Sequence, residues 1–408
     1  MQFLYSTLTA VFEKVLPVSG LFSGKMKQFV NGRKTVFQTL KKHLSETDKT
    51  IWFHCASLGE YEQGLPVMKG VKEKYPKHKL VVTFFSPSGY ENKKNSSIAD
   101  VTVYLPLDTK GNVKKFLNLV KPEIAVFVKY EFWPNYLLEL QKRKVPTFLI
   151  SALFRKKQLF FKSHGFWMRK VLKTFTHIFV QDEKSKQLLE SISMKQVTVS
   201  GDTRYDRVSK QIEENNNLDF IETFISKSLC IVAGSTWPED EEILIDYINQ
   251  SPENIKFIIA PHNLKKDQID AFEKRLTKQT VRFTEMDGKP LGDFKVFTLN
   301  TIGLLKKVYS YADIAYVGGG MGSTGLHNIL EAATFGIPIV IGKNYDNFPE
   351  ANALQSRAGL FSVATKEELE TILDKLIENK SFREKTGIIN GHFVQNNTGA
   401  TQMILDKM

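Results

Sequence analysis

The sequence predicts an α/β protein built from two doubly wound domains in tandem. Short β-rich runs alternate with amphipathic helical patterns through almost all of the 408 residues, and this alternation is typical of parallel sheets covered by helices on both faces. The chain is also too long for one ordinary core. The β-rich runs fall into two sets, separated by a polar stretch near residues 201–227.

These sets define the predicted domains, 25–205 and 206–408, after an N-terminal segment, 1–24. The first set of predicted strands is 51–57, 80–86, 102–107, 124–128, 147–151 and 177–181. The second set is 228–234, 255–260, 295–299, 314–318 and 337–341. Residues 383–408 have a helical pattern, and the last helix could pack back onto the first domain.

Composition narrows the classes of partner without choosing one. The hydrophobic content of 42% and charged content of 25% are ordinary for a globular protein. A net charge of +12 attracts polyanions, anionic lipid or acidic substrates alike. The two cysteines, Cys55 and Cys230, lie in apolar strand patterns and form no disulfide framework. With no D-x-D motif and no His/Cys set, we expect no catalytic metal.

The N-terminal segment is predicted to associate with a membrane. Its apolar residues are Phe3, Leu4, Leu8, Val11, Phe12, Val15, Leu16, Leu21 and Phe22. The polar pair Glu13-Lys14 interrupts them and no A-x-A site follows, unlike a secretory signal, and the stretch is shorter than the ~20 apolar residues of a span. Residues 1–50 hold eight Lys/Arg against three Asp/Glu, a surplus of five. This mixture favours a segment lying on an anionic surface; the alternative is a helix packed on its own domain.

A second basic stretch, residues 153–173, holds seven Lys/Arg and no acid. Its aromatic residues are Phe154, Phe160, Phe161, Phe166 and Trp167. Such interleaving suits nucleic acid or a phosphorylated amphiphile, whereas the alternative is a core-facing helix with a solvated basic face. Proximity to the N-terminal segment in the fold would decide between them.

In the first domain, Glu60 is the candidate general base. The run Ile51-Trp52-Phe53 ends in a turn of small residues, and Glu60 lies where a helix begins. Strand ends line the ligand crevice of open α/β sheets, where a carboxylate can take a proton from an attacking alcohol. The alternative is a helix-terminal Glu that complements the helix dipole. Glu131, before Trp133-Pro134, has the equivalent position after a later strand.

In the second domain, two turns suggest nucleotide binding. Ser235 and Thr236 follow a strand and precede Pro238, so one of them is predicted to cap a helix whose N–H groups can hold a phosphate. A glycine-rich loop begins at Gly318 and leads into a predicted helix with Asn328 and Glu331 on one face. A carboxylate there can accept both hydroxyls of a ribose. Simple helix capping is the alternative for both turns.

These motifs, in this order, resemble the Kdo (3-deoxy-D-manno-octulosonic acid) transferases of lipopolysaccharide assembly, over nearly the whole chain. In the first half the resemblance rests on Gly32-Arg33-Lys34, Ser57-Leu58-Gly59-Glu60 and Glu131-Phe132-Trp133-Pro134-Asn135. In the second half it rests on Ala233-Gly234-Ser235-Thr236, Gly318-Gly319, Gly325-x-His327-Asn328-x-x-Glu331 and Asn347-Phe348.

The resemblance implies an inverting, metal-independent glycosyltransferase of the GT-B architecture, in which two Rossmann-like doubly wound domains face a cleft. It implies CMP-Kdo as donor, a lipid A precursor as acceptor, no further cofactor and no nucleic acid partner. It assigns the base to Glu60 and the second acidic position to Glu131. It assigns CMP binding to Ser235, Thr236, His262, Gly319, Asn328 and Glu331. Contact with the acceptor and with an anionic membrane is expected at Arg33, Lys34, Arg155 and Lys156, on the cytoplasmic face of the inner membrane.

The sequence departs from this family pattern near the phosphate. The stretch Ala260-Pro261-His262-Asn263 lacks an Arg before the His, for which Lys265 or Lys266 could substitute, and Trp237 stands where a His is common. Two other functions stay open. One is a different GT-B nucleotide-sugar enzyme, such as a hexosyltransferase or a 2-epimerase. The other is a non-catalytic binder of anionic lipid or nucleic acid driven by the net charge.

Overall fold

A computed structural model describes residues 2–19 and 24–408, so the predicted apolar residues Leu21 and Phe22 lie outside the described residues. The chain divides into two compact units, Met1–Arg207 with Thr398–Met408, and Val208–Asn397. Each unit has a seven-stranded sheet whose strands are all parallel and are joined by helices. The predicted α/β class, with two doubly wound domains, is therefore confirmed.

The first unit comprises the following elements. Its strands are β1 (Thr50–Cys55), β2 (Lys79–Phe84), β3 (Val101–Tyr104), β4 (Pro122–Val128), β5 (Thr147–Ala152), β6 (His177–Val180) and β7 (Val197–Val199). The helices up to the boundary are α1 (Gln2–Ser19), α2 (Gly24–Lys34), α3 (Val36–His43), α4 (Leu58–Lys74), α5 (Pro87–Lys93), α6 (Lys110–Val120), α7 (Pro134–Lys142), α8 (Phe166–Leu172), α9 (Glu183–Glu190) and α10 (Thr203–Ser209).

The second unit has the same alternation. Its strands are β8 (Leu229–Thr236), β9 (Ile255–Pro261), β10 (Thr280–Arg282), β11 (Val296–Thr298), β12 (Ile314–Val317), β13 (Ile339–Gly342) and β14 (Leu360–Val363). Its helices are α11 (Asp219–Ile225), α12 (Pro238–Gln250), α13 (Lys266–Glu273), α14 (Leu305–Val308), α15 (Leu330–Ala333), α16 (Pro349–Gln355), α17 (Lys366–Glu378) and α18 (Lys380–Asn396). One further helix, α19 (Ala400–Lys407), follows in the chain.

The sheet of the first unit has the order β3-β2-β1-β4-β5-β6-β7. Every residue of β1 is buried, because helices cover both faces of a central parallel strand. Phe53 of β1 pairs with Val82 of β2 on one side and with Val126 of β4 on the other. The carboxyl ends of these neighbouring strands therefore lie side by side, which brings the turns after β1, β2 and β4 to one edge of the sheet.

Helix α19 belongs to the first unit although it follows the whole of the second in the chain. Its Ile404 is fully buried in the core cluster that also contains Met68 of α4. Asp206 accepts hydrogen bonds from the backbone N–H groups of Gly399 and Thr401 at 2.5 and 2.7 Å, which holds the start of this helix. Residues of the C-terminal stretch thus complete the packing of α4.

The sheet of the second unit has the order β10-β11-β9-β8-β12-β13-β14. Strand β8 lies at its centre and pairs with β9 and β12. The strands β7, β10 and β14 were not predicted from the sequence. Each lies at the edge of its sheet and has only three or four residues, which is too short for an alternating pattern to stand out.

Candidate functional site

Glu60 lies in the first turn of α4, directly after the carboxyl end of β1. Ser57 is the N-cap of this helix, and the backbone N–H of Ser57 donates to Oε2 of Glu60 at 3.0 Å. This is the reciprocal half of a capping box, which satisfies one of the N–H groups left unpaired at a helix start. The same bond fixes the carboxylate at the edge of the sheet.

The environment of Glu60 also alters its acidity. The side chain is only 9% exposed. Burial, followed by the nearby charge of Glu131, raises the pKa of Glu60 to about 7, against the opposing effects of the Ser57 and Ala56 N–H groups and of Lys129. A carboxylate with a pKa near the working pH can both accept and release a proton.

Glu131 anchors a buried hydrogen-bond network that the sequence did not reveal. Its Oε2 accepts from Nε1 of Trp133 at 2.7 Å and lies 3.0 Å from Nε2 of His54. The other ring nitrogen of His54 lies 2.9 Å from the hydroxyl of Thr83, which also accepts from Nε1 of Trp52 at 2.8 Å. A histidine within a wholly buried strand was the available signal, because a buried polar group needs a partner.

Two residues at the ends of neighbouring strands hold left-handed backbone conformations. Lys129, which follows β4, has a φ of 69°, and Ser151 in β5 has a φ of 52°. Neither is a glycine, so the conformations are strained. Such strain is concentrated at functional sites, where the surrounding structure holds it in place. Both positions belong to the strand ends that flank Glu131.

Helix α1 has the reverse of the usual polarity of a surface helix. Its inner face docks through polar groups: the Tyr5 hydroxyl donates to Asp108 at 2.8 Å and the Ser6 hydroxyl donates to Asn135 at 3.0 Å. Its outer face is apolar, and the exposed residues on it are Phe3, Leu4, Leu8, Val11, Phe12 and Val15. A helix on a water-facing surface buries its apolar stripe and exposes its polar one.

The basic stretch 153–173 lies next to α1. The ring of Tyr5 packs on the ring of Trp167 in α8, with 5.4 Å between centroids. Phe166 is 74% exposed and Leu159 is 45% exposed. The predicted acceptor-side residues Arg155 and Lys156 are exposed. The stretch 153–173 is thus close to the N-terminal segment. This proximity is the observation that was expected to decide between a binding surface and a core-facing helix.

Arg33 and Lys34 have different environments. The guanidinium of Arg33 donates to the backbone carbonyls of Leu105, Phe29 and Phe85 at 3.0, 2.9 and 2.8 Å. It also lies 3.6 Å from the centre of the Phe29 ring, and burial lowers the pKa of Arg33 to about 9. These contacts anchor α2 to its own unit. They explain the position of Arg33 without any contact to the acceptor substrate. Lys34 is exposed.

In the second unit, Asp240 joins the two strand-end turns. It is fully buried, and its Oδ2 accepts from the backbone N–H groups of Trp237 and Gly319 at 2.9 and 2.8 Å. Its Oδ1 accepts from the hydroxyl of Tyr316 at 2.8 Å. One carboxylate therefore ties the start of α12 to the glycine-rich loop after β12. The N–H of Gly319, a residue that the resemblance assigns to CMP binding, is taken up by this contact.

The predicted capping of α12 was wrong by one or two residues. The N-cap is Trp237, with Pro238 at the first helical position, because the carboxylate of Asp240 accepts the Trp237 N–H. Thr236 belongs to β8 and is buried, and its hydroxyl donates to Glu241 at 2.9 Å. Ser235, with a φ of 55°, marks a strained turn at the end of the strand.

The glycines of the loop after β12 are required by close protein contacts. A side chain at Gly318 would approach the carbonyl oxygen of Ser235 at 2.4 Å. Gly319 has a φ of 91°, and a side chain there would approach the carbonyl oxygen of Gly325 at 2.2 Å. Tight packing of the loop against neighbouring backbone thus explains these two glycines before any ligand is considered.

Asn328 and Glu331 meet as predicted, but not on one helix. Helix α15 begins at Leu330, so Asn328 precedes it and instead accepts the Leu330 N–H at 3.2 Å. The amide of Asn328 donates to Glu331 at 3.2 Å. The sequence predicted a helix that already contains Asn328. This was wrong, because Asn328 belongs to the irregular loop that precedes α15. Glu331 is half-buried, and its charge adds to the burial that raises the pKa of Tyr309.

Three aromatic rings cluster beside these turns. The ring of His262 stacks on that of Trp237, with 4.4 Å between centroids, and lies 4.5 Å from that of His327. Nε1 of Trp237 lies 3.1 Å from Nε2 of His327. Burial, with a smaller contribution from His262, lowers the pKa of His327 to about 4. The imidazole of His327 is therefore uncharged at neutral pH. Lys265 and Lys266, the predicted substitutes for the missing Arg, are exposed.

Comparison with known proteins adds the family context. Residues 31–207 match the family described as 3-deoxy-D-manno-octulosonic-acid transferase (kdotransferase). The chain is 25% identical to the 3-deoxy-D-manno-octulosonic acid transferase of Haemophilus influenzae, over 99% of this chain and 97% of that protein. It is 28% identical to the transferase of the same name from Aquifex aeolicus, over 87% of this chain and 94% of that protein.

Solved structures with a similar fold include a UDP-GlcNAc 2-epimerase from Neisseria meningitidis bound to UDP-GlcNAc. The TM-score is 0.63 with 17% sequence identity, and the match covers 88% of this chain and 98% of that one. At this identity the likeness concerns the fold alone, which is the two-domain GT-B architecture.

Proposed function

Because this chain belongs to the family of Kdo transferases and is thus a glycosyltransferase, we propose that it moves Kdo from CMP-Kdo to a lipid A precursor. We further propose that the transfer inverts the anomeric carbon and that Glu60 is the general base. The single observation that carries the assignment of the base is the position of Glu60. It is a buried carboxylate at a strand end, held by its own helix cap, with a pKa raised to about 7.

The proposed step is a displacement at the anomeric carbon of Kdo. Glu60 takes the proton of a glucosamine hydroxyl of the acceptor as that oxygen forms a bond to the anomeric carbon. The bond from this carbon to the phosphate oxygen breaks, and CMP leaves with the electron pair. The proton ends on the carboxyl of Glu60. Assistance by a positioned base of this kind is worth about 10²–10⁴-fold in rate.

Glu131 supports Glu60 by its charge. Its carboxylate is held by Trp133 and by His54, so it stays close to Glu60 rather than turning to solvent. A like charge disfavours ionisation of its neighbour, which makes Glu60 a stronger base than an ordinary carboxylate. Glu131 is therefore a positioning residue in this proposal, and the network of buried groups around it serves that purpose.

The second unit is proposed to hold CMP. Ser235 and Thr236 end β8, directly before the N-cap of α12, whose first N–H groups and dipole favour a phosphate. Glu331 is proposed to accept the ribose hydroxyls, with Asn328 holding its carboxylate. His262 forms the exposed side of the ring cluster and is the proposed contact to the donor near the phosphate. The N–H of Gly319 donates to Asp240. Gly319 is therefore proposed to shape the loop beside CMP rather than to bind CMP through this N–H.

The first unit is proposed to lie on the anionic cytoplasmic surface of the inner membrane. No helix within residues 2–19 and 24–408 is long and apolar enough to cross a bilayer. The reversed polarity of α1 supports binding at the surface instead, because its apolar face, Phe3 to Val15, is exposed beside the basic stretch 153–173. An apolar helix face with neighbouring cations is the composition that binds an anionic interface.

We expect the purified protein to convert CMP-Kdo and a tetraacylated lipid A precursor into product heavier by whole Kdo units, read out by mass spectrometry. We also expect CMP, but not UDP or GDP, to protect the protein against heat, since a ligand stabilises the state that binds it. Protection by UDP or GDP instead would favour a hexosyltransferase or a 2-epimerase. Tight polyanion binding without any transfer would favour the non-catalytic binder.

The pH dependence tests the pairing of the two carboxylates. A base must be deprotonated to act, so we expect kcat/KM to rise with pH and level off above about 7, following the raised pKa of Glu60. Glu131→Gln removes the like charge, so this limb should move to lower pH. The control Glu62→Gln, on the same helix, should leave it in place. A limb that Glu131→Gln does not move would contradict the coupling.

A further inference from the structure

At the N-terminal end of α1, a basic pocket lies beside the apolar outer face of that helix. It has a volume of about 160 Å³ and is formed by α1, α6 and α7. Its lining includes Gln2, Lys110, Lys114, Asn135, Glu139 and Lys142. The spacings within α6 and α7 follow the helical repeat, so each helix turns one face toward the pocket.

The charges of this pocket are unbalanced. Lys110, Lys114 and Lys142 contribute three cations. The one carboxylate, Glu139, is already bound by Nε of Arg143 at 2.9 Å. In the described stretches 2–19 and 24–408, none of the three lysines lies within ion-pair distance of a carboxylate. Three ammonium groups around one small cavity favour an anion.

The walls of the pocket are fixed by buried contacts. Val113 is buried and forms part of its floor. Asn135 is 5% exposed; its backbone N–H donates to Asp108 at 3.0 Å, and its side-chain oxygen accepts from Ser6 of α1. Because Asp108 also accepts from Tyr5, docking of α1 and the shape of the pocket depend on one another. The docking of α1 therefore holds two of the lining residues, Gln2 and Asn135, in place.

We propose that this pocket binds the phosphate of an anionic phospholipid headgroup. The location decides for a lipid over a free phosphate: Gln2 lines the pocket, and the next residue, Phe3, is 81% exposed at the start of the apolar face. A helix whose apolar face enters the boundary between headgroups and acyl chains holds adjacent groups at headgroup level. The inference rests on the proposed membrane association and adds a specific site to it.

Such a site would orient the enzyme as well as attach it. Helix α7, which contributes Asn135 and Lys142 to the pocket, begins three residues after Glu131. A headgroup held between α6 and α7 therefore sets the height of this edge of the sheet above the bilayer. Glu60 belongs to the same edge, so the base would be presented to an acceptor that remains anchored in the membrane.

The test compares binding of the full-length protein to vesicles of phosphatidylcholine alone and to vesicles in which about a third is replaced by phosphatidylglycerol. The triple variant Lys110→Gln/Lys114→Gln/Lys142→Gln should lose about 100-fold of the affinity for the anionic vesicles, since each cation near the surface contributes about fivefold. It should keep the weak binding to phosphatidylcholine. The control Lys227→Gln/Lys274→Gln/Lys289→Gln changes the net charge equally and should lose much less.

Two further arms separate the possible failures. Phe12→Ser in α1 should weaken binding to both kinds of vesicle; if it does not, the membrane proposal fails and the lipid site that rests on it fails with it, whereas an effect of Phe12→Ser without one of the lysine triple variant overturns the lipid site alone. Transfer to a detergent-dispersed acceptor should be unchanged in the lysine triple variant, which separates the pocket from the proposed catalysis. The proposal is overturned if the triple variant loses no more affinity than its control. It is also overturned if inorganic phosphate protects only the wild-type protein against heat while vesicle binding is unaffected.

Discussion

Replacement of Glu60 by glutamine should lower the turnover of Kdo transfer by about 10²–10⁴-fold, because the acceptor hydroxyl loses its base. Glutamine is the informative substitute, since its side-chain oxygen can still accept the Ser57 N–H and keep the helix cap. Alanine would lose the cap as well, at a cost of about 1 kcal/mol. Initial rates at saturating donor and acceptor, measured above pH 7, give the effect directly.

Two measurements separate the loss of a base from the loss of structure. Protection by CMP against heat should be unchanged in Glu60→Gln, because that variant alters the first unit and the proposed CMP contacts lie in the second. Glu62→Gln, whose native carboxylate pairs with Lys93 and Arg207, should retain near-normal turnover. If Glu60→Gln turned over at a normal rate, the base would have to be another group.

Glu60 should also leave a signature in stability. Its folded pKa is raised above the ordinary value of 4.5 to about 7. Between these values the folded protein binds the proton more tightly than the unfolded chain does, so this carboxyl makes stability fall as pH rises through that window. Glu60→Gln carries no titrating group and should remove this part of the decline. The same variant thus loses activity and becomes less sensitive to pH.

Replacement of Asp240 by alanine should produce the largest loss of stability in the second unit. The substitution leaves the N–H groups of Trp237 and Gly319 and the hydroxyl of Tyr316 without their shared acceptor in a fully buried place. Each such group costs about 1–3 kcal/mol, so we expect at least about 3 kcal/mol in total. For a domain of this size that corresponds to a fall in melting temperature of about 6–12 °C.

Calorimetry of the whole protein measures this effect, with the two units treated as separate transitions because a two-domain protein need not unfold in one step. Tyr316→Phe removes one of the three bonds and should cost less. Glu239→Gln, an exposed neighbour in the same turn, should cost nothing measurable. Because Asp240 fixes the loop at Gly319, protection by CMP should weaken in Asp240→Ala. An unchanged melting temperature would show that the loop is held by other contacts.

The alternation of strands and helices was sufficient to predict the fold class and the long central strands. Strand β1 was predicted at 51–57 and lies at 50–55, and β9 was predicted at 255–260 and lies at 255–261. Boundaries were less certain because they depend on caps that form between side chain and backbone. Trp237 is an N-cap only because Asp240 folds back to accept its N–H, and tryptophan carries no local preference for that position.

The site was predicted less completely, for a related reason. Glu60 and Glu131 could be identified because each follows an apolar strand run. The partners that set their environment could not, since they are distant in sequence: His54 and Glu131 are 77 residues apart, and Asp240 and Gly319 are 79 apart. Arg33 was expected to contact the acceptor and the membrane, because a basic residue that follows an apolar segment resembles a surface cation. Its guanidinium instead bonds to three backbone carbonyls.

The return of α19 to the first unit has a consequence for biosynthesis. Domains generally fold as units while the ribosome is still extending the chain. Residues 398–408 leave the ribosome only after the whole second unit, yet Ile404 completes the core beside α4 and Leu405 packs directly against Gly70. The helix that carries Glu60 therefore stays incompletely packed in a nascent chain. A product that lacks residues 398–408 lacks this support, so packing of the sheet edge that carries Glu60 is completed only after these residues have been translated.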